Sequence, residues 1–180
     1  VREPHRDSFF QTSLTIEKTL GWGELTSTSA LTERRIADQY DASLEWPSLT
    51  GFPVGPSAFD DVRGIRSITH ETRVASTGEG AWNWLSGVFL SYRDEDYRSQ
   101  LAGPGQNGAA AVARTEARDD HANEAALFGE ATYRLTDWLS LTGGLRVFYA
   151  SVGASARFGL SASGPVSLAS GTNDAMGTTQ

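Results

Sequence analysis

The chain has no cysteine, one lysine and one methionine among its 180 residues. Without thiols there is no disulfide framework, no thiolate nucleophile and no cysteine-held metal. The lone lysine is Lys18, the arginines are scattered, and the net charge is −7 with a pI near 4.9. No basic patch is present to neutralise phosphates, which argues against nucleic acid as a partner. No apolar run approaches the roughly 18 residues of a membrane-crossing helix. The opening stretch VREPHRDSFF is polar and has no signal-peptide pattern, so the chain is expected to begin within a longer protein. Hydrophobic residues make up 39% and charged residues 21%, with none of the longer apolar runs usual in a water-soluble α/β enzyme. G-x-S-x-G, H-E-x-x-H and the Walker phosphate loop are missing, and His5, His70 and His121 are far apart. No enzyme, cofactor or resident metal is expected.

What is present is alternation. In 139–149, Leu139, Leu141, Leu145, Val147 and Tyr149 fall on odd positions, and Ser140, Thr142, Gly144 and Arg146 on even ones. Six such strands are expected in three pairs: 9–18 with 24–36, 65–76 with 82–97, and 122–135 with 138–150. The joins within pairs are short and rich in turn residues. The last strand has a weak extension through 151–162. The connections 37–64 and 98–121 are long, and the tail 163–180 reads as a third long loop. Ordinary compact domains avoid long structureless loops. Short turns on one side and long loops on the other are the mark of an outer-membrane barrel.

Alternation alone does not separate a barrel from a β-sandwich, because both have one apolar and one polar face. Tryptophan placement favours the barrel. Trp22, Trp82, Trp84 and Trp138 lie in or beside the short turns, where an amphipathic ring suits the headgroup layer. Phe9, Phe10, Phe89, Tyr92, Phe148 and Tyr149 lie about ten residues away, the span a tilted strand needs to cross hydrocarbon. Six strands are too few for a closed transmembrane barrel, and open edges cannot face lipid.

The stretch 69–97 resembles a mid-barrel hairpin of the TonB-dependent outer-membrane receptors, through Glu71, Arg73, Ala75, Ser76, Trp84, Gly87 and Phe89. The stretch 126–149 resembles the next hairpin, through Phe128, Gly129, Glu130, Tyr133, Leu135, Thr136, Leu141, Gly144, Leu145 and Arg146, and 14–35 is similar to an earlier one. Val147 stands where the family more often has an aromatic residue. The resemblance implies an all-β chain: an antiparallel up-and-down meander of about six strands with long extracellular loops. Residues 1–180 would then be part of a 22-stranded barrel domain, without its plug and remaining strands. It also implies a bacterial outer-membrane protein that imports a scarce nutrient such as an iron chelate. Its partners would be outer-membrane lipid, the TonB system acting through the plug, and a small-molecule or metal-chelate substrate. Two alternatives remain: a secreted or surface β-sandwich adhesion module, and a small complete outer-membrane barrel with 151–180 supplying two more strands.

Candidate ligand contacts come from 37–64 and from 93–121, the second long connection with the strand end leading into it, since recognition residues concentrate on loops held by a rigid scaffold. They are Tyr40, Trp46, Phe52, Arg93, Tyr97 and Arg98; the bland reading is that the aromatics only cover the barrel mouth or pack loop on loop. Glu71 and Glu130 are expected to pair with Arg73, Arg134 or Arg146 across strands. GPGQNG at 103–108 formally fits G-x-G-x-x-G, but a polar stretch precedes it instead of a buried strand. It reads as a loop tip, with helix possible just after it. The acidic groups RDDH at 118–121 and DED at 94–96 read as solvated loop.

Overall fold

In the computed structural model the described residues are 2–78, 80–105 and 109–160, together with the backbone of 164–179. Seven strands follow in order: β1 (His5–Leu20), β2 (Gly23–Asp41), β3 (Ala58–Ser76), β4 (Trp82–Pro104), β5 (Ala110–Arg134), β6 (Ser140–Leu160) and β7 (Gly164–Thr179). They form one sheet in the order β1-β2-β3-β4-β5-β6-β7, each pairing antiparallel with its neighbour in sequence. This is the expected all-β meander. A β-sandwich requires a second sheet for the apolar faces to meet, and the described residues form one sheet only. A small complete barrel requires β1 to pair with β7, and in the described residues each has a single neighbour.

The strands run further than their apolar alternation. Most of 98–121 continues β4 and β5, and just past their paired ends the Gly105 N–H donates to the Ala109 carbonyl at 2.7 Å. The tail expected as a loop pairs with β6 as β7. The helix envisaged after the glycine-rich tip is strand from Ala110 onward; Gln106, Asn107 and Gly108 lie outside the described residues. Backbone pairing holds these segments in strands where side-chain hydropathy gives no signal.

One long connection, 42–57, remains. It contains helix α1 (Trp46–Thr50), which starts with Pro47 in its first turn and ends at Gly51. Gly51 has φ 74°, a left-handed conformation suited to glycine, and its N–H donates to the Pro47 carbonyl at 2.9 Å. α1 folds onto the sheet and forms a small core with it. Trp46 is fully buried against Leu101, Ala113 and Ala42, with Phe52, Phe59 and Ala111 at the margin. A bulge places Ala113 in this core: Leu101 pairs Arg114 but Ala102 pairs Val112, leaving Ala113 as the extra residue. Gly103 lies beneath the indole. A Cβ there would stand 2.9 Å from the Trp46 ring and 2.6 Å from Ser57 Cβ.

Candidate functional site

The pairing register sorts every strand residue onto one of two faces. On β4 the odd positions from Leu85 to Leu101 are nearly all buried or half-buried, while the even positions are nearly all exposed. On β5 the even positions from Glu116 to Phe128 are the shielded ones. Outside the α1 region no second layer among the described residues covers the sheet, so this asymmetry comes from curvature. The shielded face is concave and the exposed face convex.

On the convex face, the half of each strand next to the short turns is apolar. Leu14 and Ile16, Leu25 and Leu31, Ile68 and Val74, Val88 and Leu90, Leu127, and Leu141, Leu145 and Val147 form a continuous band, and most are exposed. Trp84 to Tyr92 and Leu141 to Tyr149 each match the roughly 9–11 residues needed to cross hydrocarbon at a tilt. At the turn end Trp22 stacks on Trp84 with centroids 6.0 Å apart, and Trp82 meets Tyr133 at 4.7 Å. Trp138 is 83% exposed at the same end. Phe10, Tyr92 and Tyr149 mark the other edge of the band. Phe9, Phe89 and Phe148, expected in that edge, share the concave face instead. Beyond the band the convex face becomes charged at Glu33, Arg66, Asp94, Asp119 and Arg157.

Within the band lies one polar island whose members satisfy one another. The Ser29 hydroxyl is 2.8 Å from His70 Nδ1, the Thr72 hydroxyl 3.0 Å from His70 Nε2, and the Ser27 and Thr72 hydroxyls 2.9 Å apart. Each ring nitrogen thus meets a hydroxyl, which can donate or accept as the imidazole requires. Such closure is what a polar group facing an apolar medium needs.

The concave face carries ion pairs. Arg63 Nε lies 3.4 Å and Arg93 Nη2 2.7 Å from the Glu95 carboxylate. Arg118 Nε lies 2.8 Å from Asp120, and Arg114 Nη2 3.0 Å from Glu116. Arg146 pairs with Glu124 and stands 5.3 Å from the Phe89 ring centroid. Arg63, Tyr97 and Arg118 occupy one cross-strand row. Both guanidinium carbons stand 5.5 Å from the Tyr97 centroid, so one phenol ring is flanked by two cations. Ser99 Oγ and Asp120 Oδ1 are buried nearby without hydrogen-bond partners among the described residues.

Nearer the loop end Asp38 and Asp61 face each other across β2 and β3. Burial, with the Asp38 charge second, pushes the Asp61 carboxyl above its ordinary range. The Asp38 charge, helped by burial and by Asp61, likewise raises the Tyr40 phenol. A recess of about 360 Å³ lies under α1, lined by Tyr40, Phe59, Leu49, Leu101, Arg114 and Leu160 among others.

No protein-family model and no curated protein matches the chain. Solved structures do. The fold is that of a section of barrel wall. The ferric yersiniabactin uptake receptor FyuA of Yersinia pestis superposes with a TM-score of 0.77 at 16% identity, over 98% of this chain and 26% of that one. The resemblance to TonB-dependent receptors carried by the hairpin motifs is thus met in three dimensions by a receptor barrel. In that fold the concave face is lumenal and the convex face is the outer surface.

The barrel wall divides the six candidate contacts. Tyr40, Arg93 and Tyr97 project from the lumenal face near the loop end. Trp46 is buried in the α1 core and donates its indole N–H to the Pro104 carbonyl at 3.0 Å; Phe52 packs against that core. Arg98 lies on the outer face. The lumenal residues missing from the candidate set are Arg63, Phe59, Arg114, Glu116, Arg118 and Asp120. Their signal was period-two charge: Arg114, Glu116, Arg118 and Asp120 alternate as a strand face does, in a stretch read as loop. The same pleat splits RDDH, sending Arg118 and Asp120 inward and Asp119 and His121 outward, and splits DED likewise. Of the expected lumenal pairs, Glu71 and Arg73 come within 4.0 Å along one strand, and Arg146 takes Glu124 instead of Glu130.

Proposed function

We propose that this chain is part of the barrel domain of a bacterial outer-membrane receptor that imports a scarce nutrient, such as a ferric chelate, with energy from the TonB system. The single observation that supports this best is the pairing of faces in one curved sheet: an apolar, tryptophan-rimmed convex band opposite a charged concave wall. A water-soluble module has no use for an exposed convex band of this extent, whereas a lipid-facing wall requires it. The likeness to a ferric-chelate uptake receptor agrees. The unpaired edges of β1 and β7 call for further strands, because open edges cannot face lipid. The TonB contact belongs to a plug outside residues 1–180.

In this reading Tyr97, between Arg63 and Arg118, contacts an anionic chelate, with Arg93 and Tyr40 beside it. The test is uptake of radioactive iron from a panel of ferric chelates by cells deleted for the gene. One chelate is expected to lose TonB-dependent uptake, to regain it with the intact gene, and to lose affinity about tenfold with Tyr97→Ala. Unchanged uptake of every chelate and other scarce nutrient would contradict the receptor reading.

A further inference from the structure

The loop-end half of the lumenal face carries an apolar patch as well as charge. The row Tyr40–Phe59–Leu101–Arg114–Leu160 crosses β2 to β6, with four apolar or aromatic side chains beside one cation. Together with Leu49 of α1 it lines the recess of about 360 Å³. The Tyr40 and Phe59 rings form one wall, with centroids 6.3 Å apart, and Leu101 and Ala113 the floor. Leu101 and Ala113 are buried in the α1 core, but Leu49 is 62% and Leu160 53% exposed. Aliphatic side chains left open on an otherwise charged wall mark a place that receives an apolar group. The volume is that of a small-molecule pocket, which starts at about 300 Å³.

Two neighbouring rows say how a ligand lies there. Tyr97 is four residues along β4 from Leu101, about 13 Å away by the rise of a strand. Around it Arg63, Arg93 and Arg118 face the carboxylates of Glu95 and Asp120, three cations to two anions. An anionic head is drawn to that row. Asp41 and Glu45, at the α1 side of the recess, repel the same head. Between head and recess runs the row Asp38–Asp61–Ser99–Glu116. His5 is bonded to Asp38 and Arg114 to Glu116, and the buried Ser99 Oγ has no partner among the described residues. Carboxylates and a hydroxyl accept hydrogen bonds, so this row suits a linker that brings N–H groups.

We propose that the chelate is an acylated one: an anionic metal-binding head at Tyr97, an amide linker over Asp61 and Ser99, and an aliphatic tail under α1. This deepens the receptor reading above and rests on it. The test uses the full-length protein in lipid nanodiscs and ferric probes labelled with radioactive iron. Each probe is a lysine tripeptide with a catechol amide on every side chain, which makes the iron complex anionic. Its N-terminus carries a dodecanoyl, a benzoyl or an acetyl amide. Binding to empty nanodiscs is subtracted. The dodecanoyl probe is expected to bind about tenfold more tightly than the acetyl probe. Leu49→Gln/Leu160→Gln, which adds no charge, is expected to abolish that difference while acetyl binding stays as in wild type. Arg63→Gln/Arg118→Gln is expected to weaken both probes about tenfold. Equal affinity of the wild type for the two probes, or a difference that survives in the leucine double variant, would overturn the tail site and leave the receptor reading standing. A benzoyl probe that gains as much as the dodecanoyl one would overturn the aliphatic assignment in favour of an aryl group. Binding of no probe would overturn the anionic-chelate contact at Tyr97, and this inference with it.

Discussion

At the scale of single residues, the chain stakes most on positions where a side chain has no room to change. Gly103 lies against the Trp46 ring. Gly103→Val is therefore expected to overpack the α1 core and destabilise it by about 1–3 kcal/mol. Trp46→Ala leaves a cavity and is expected to cost about 3–5 kcal/mol. Both are read as faster protease nicking within 42–57, and a nicking rate equal to wild type would contradict this role for the core. His5 gives a pH-dependent contact. Its hydrogen bond to Asp38, together with the Asp38 charge, holds its pKa above the ordinary value. The contribution is complete below about pH 6.5 and is lost as pH rises through the elevated folded value. Protection factors of amides at the loop end of β1 are expected to fall over that rise. Protection that stays flat there would show that the pair contributes nothing. Trp46 also shows what sequence leaves hidden. An aromatic in a loop between strands reads as exposed, and only the fold of 42–57 back onto Leu101 and Gly103 makes it core.

At the scale of elements, the strands have two different halves. The lower halves were legible, because one face is apolar and the other polar, and that contrast writes a period of two in hydropathy. The upper halves are polar on both faces, so hydropathy goes silent although the backbone ladder continues. Charge still alternates there, as in Arg114, Glu116, Arg118 and Asp120, but it reads as loop when hydropathy is the guide. β7 is a stronger case of the same effect, rich in Gly, Ser, Ala and Thr and paired with β6 through its backbone. The two faces of a lower half should respond oppositely to charge. Leu145→Arg, near mid-band on the convex side, is expected to destabilise the wall by about 2–4 kcal/mol. Thr132→Arg, on the concave side, is expected to cost little. Urea unfolding in lipid vesicles compares them, and equal losses would mean that the convex side does not contact hydrocarbon.

At the scale of the whole molecule, the open sheet, its curvature and its asymmetric faces are consistent with one account: a section of barrel wall with lipid outside and water within. The meander order was legible from the short turns, since hairpins leave no freedom in which strand pairs with which. Curvature was not, because it belongs to the sheet and to no single residue. Nor was the lumenal row Arg63–Tyr97–Arg118, which joins three strands distant in sequence. The absence of cysteine makes the decisive measurement direct. Single cysteines placed at successive positions from Leu141 to Tyr149 can carry spin labels in lipid vesicles, and collisions with oxygen and with a water-soluble nickel complex can be compared. The account requires oxygen to dominate at Leu141, Gly143, Leu145, Val147 and Tyr149, and the nickel complex at Thr142, Gly144, Arg146 and Phe148. Nickel access at every position, or no alternation at all, would contradict it.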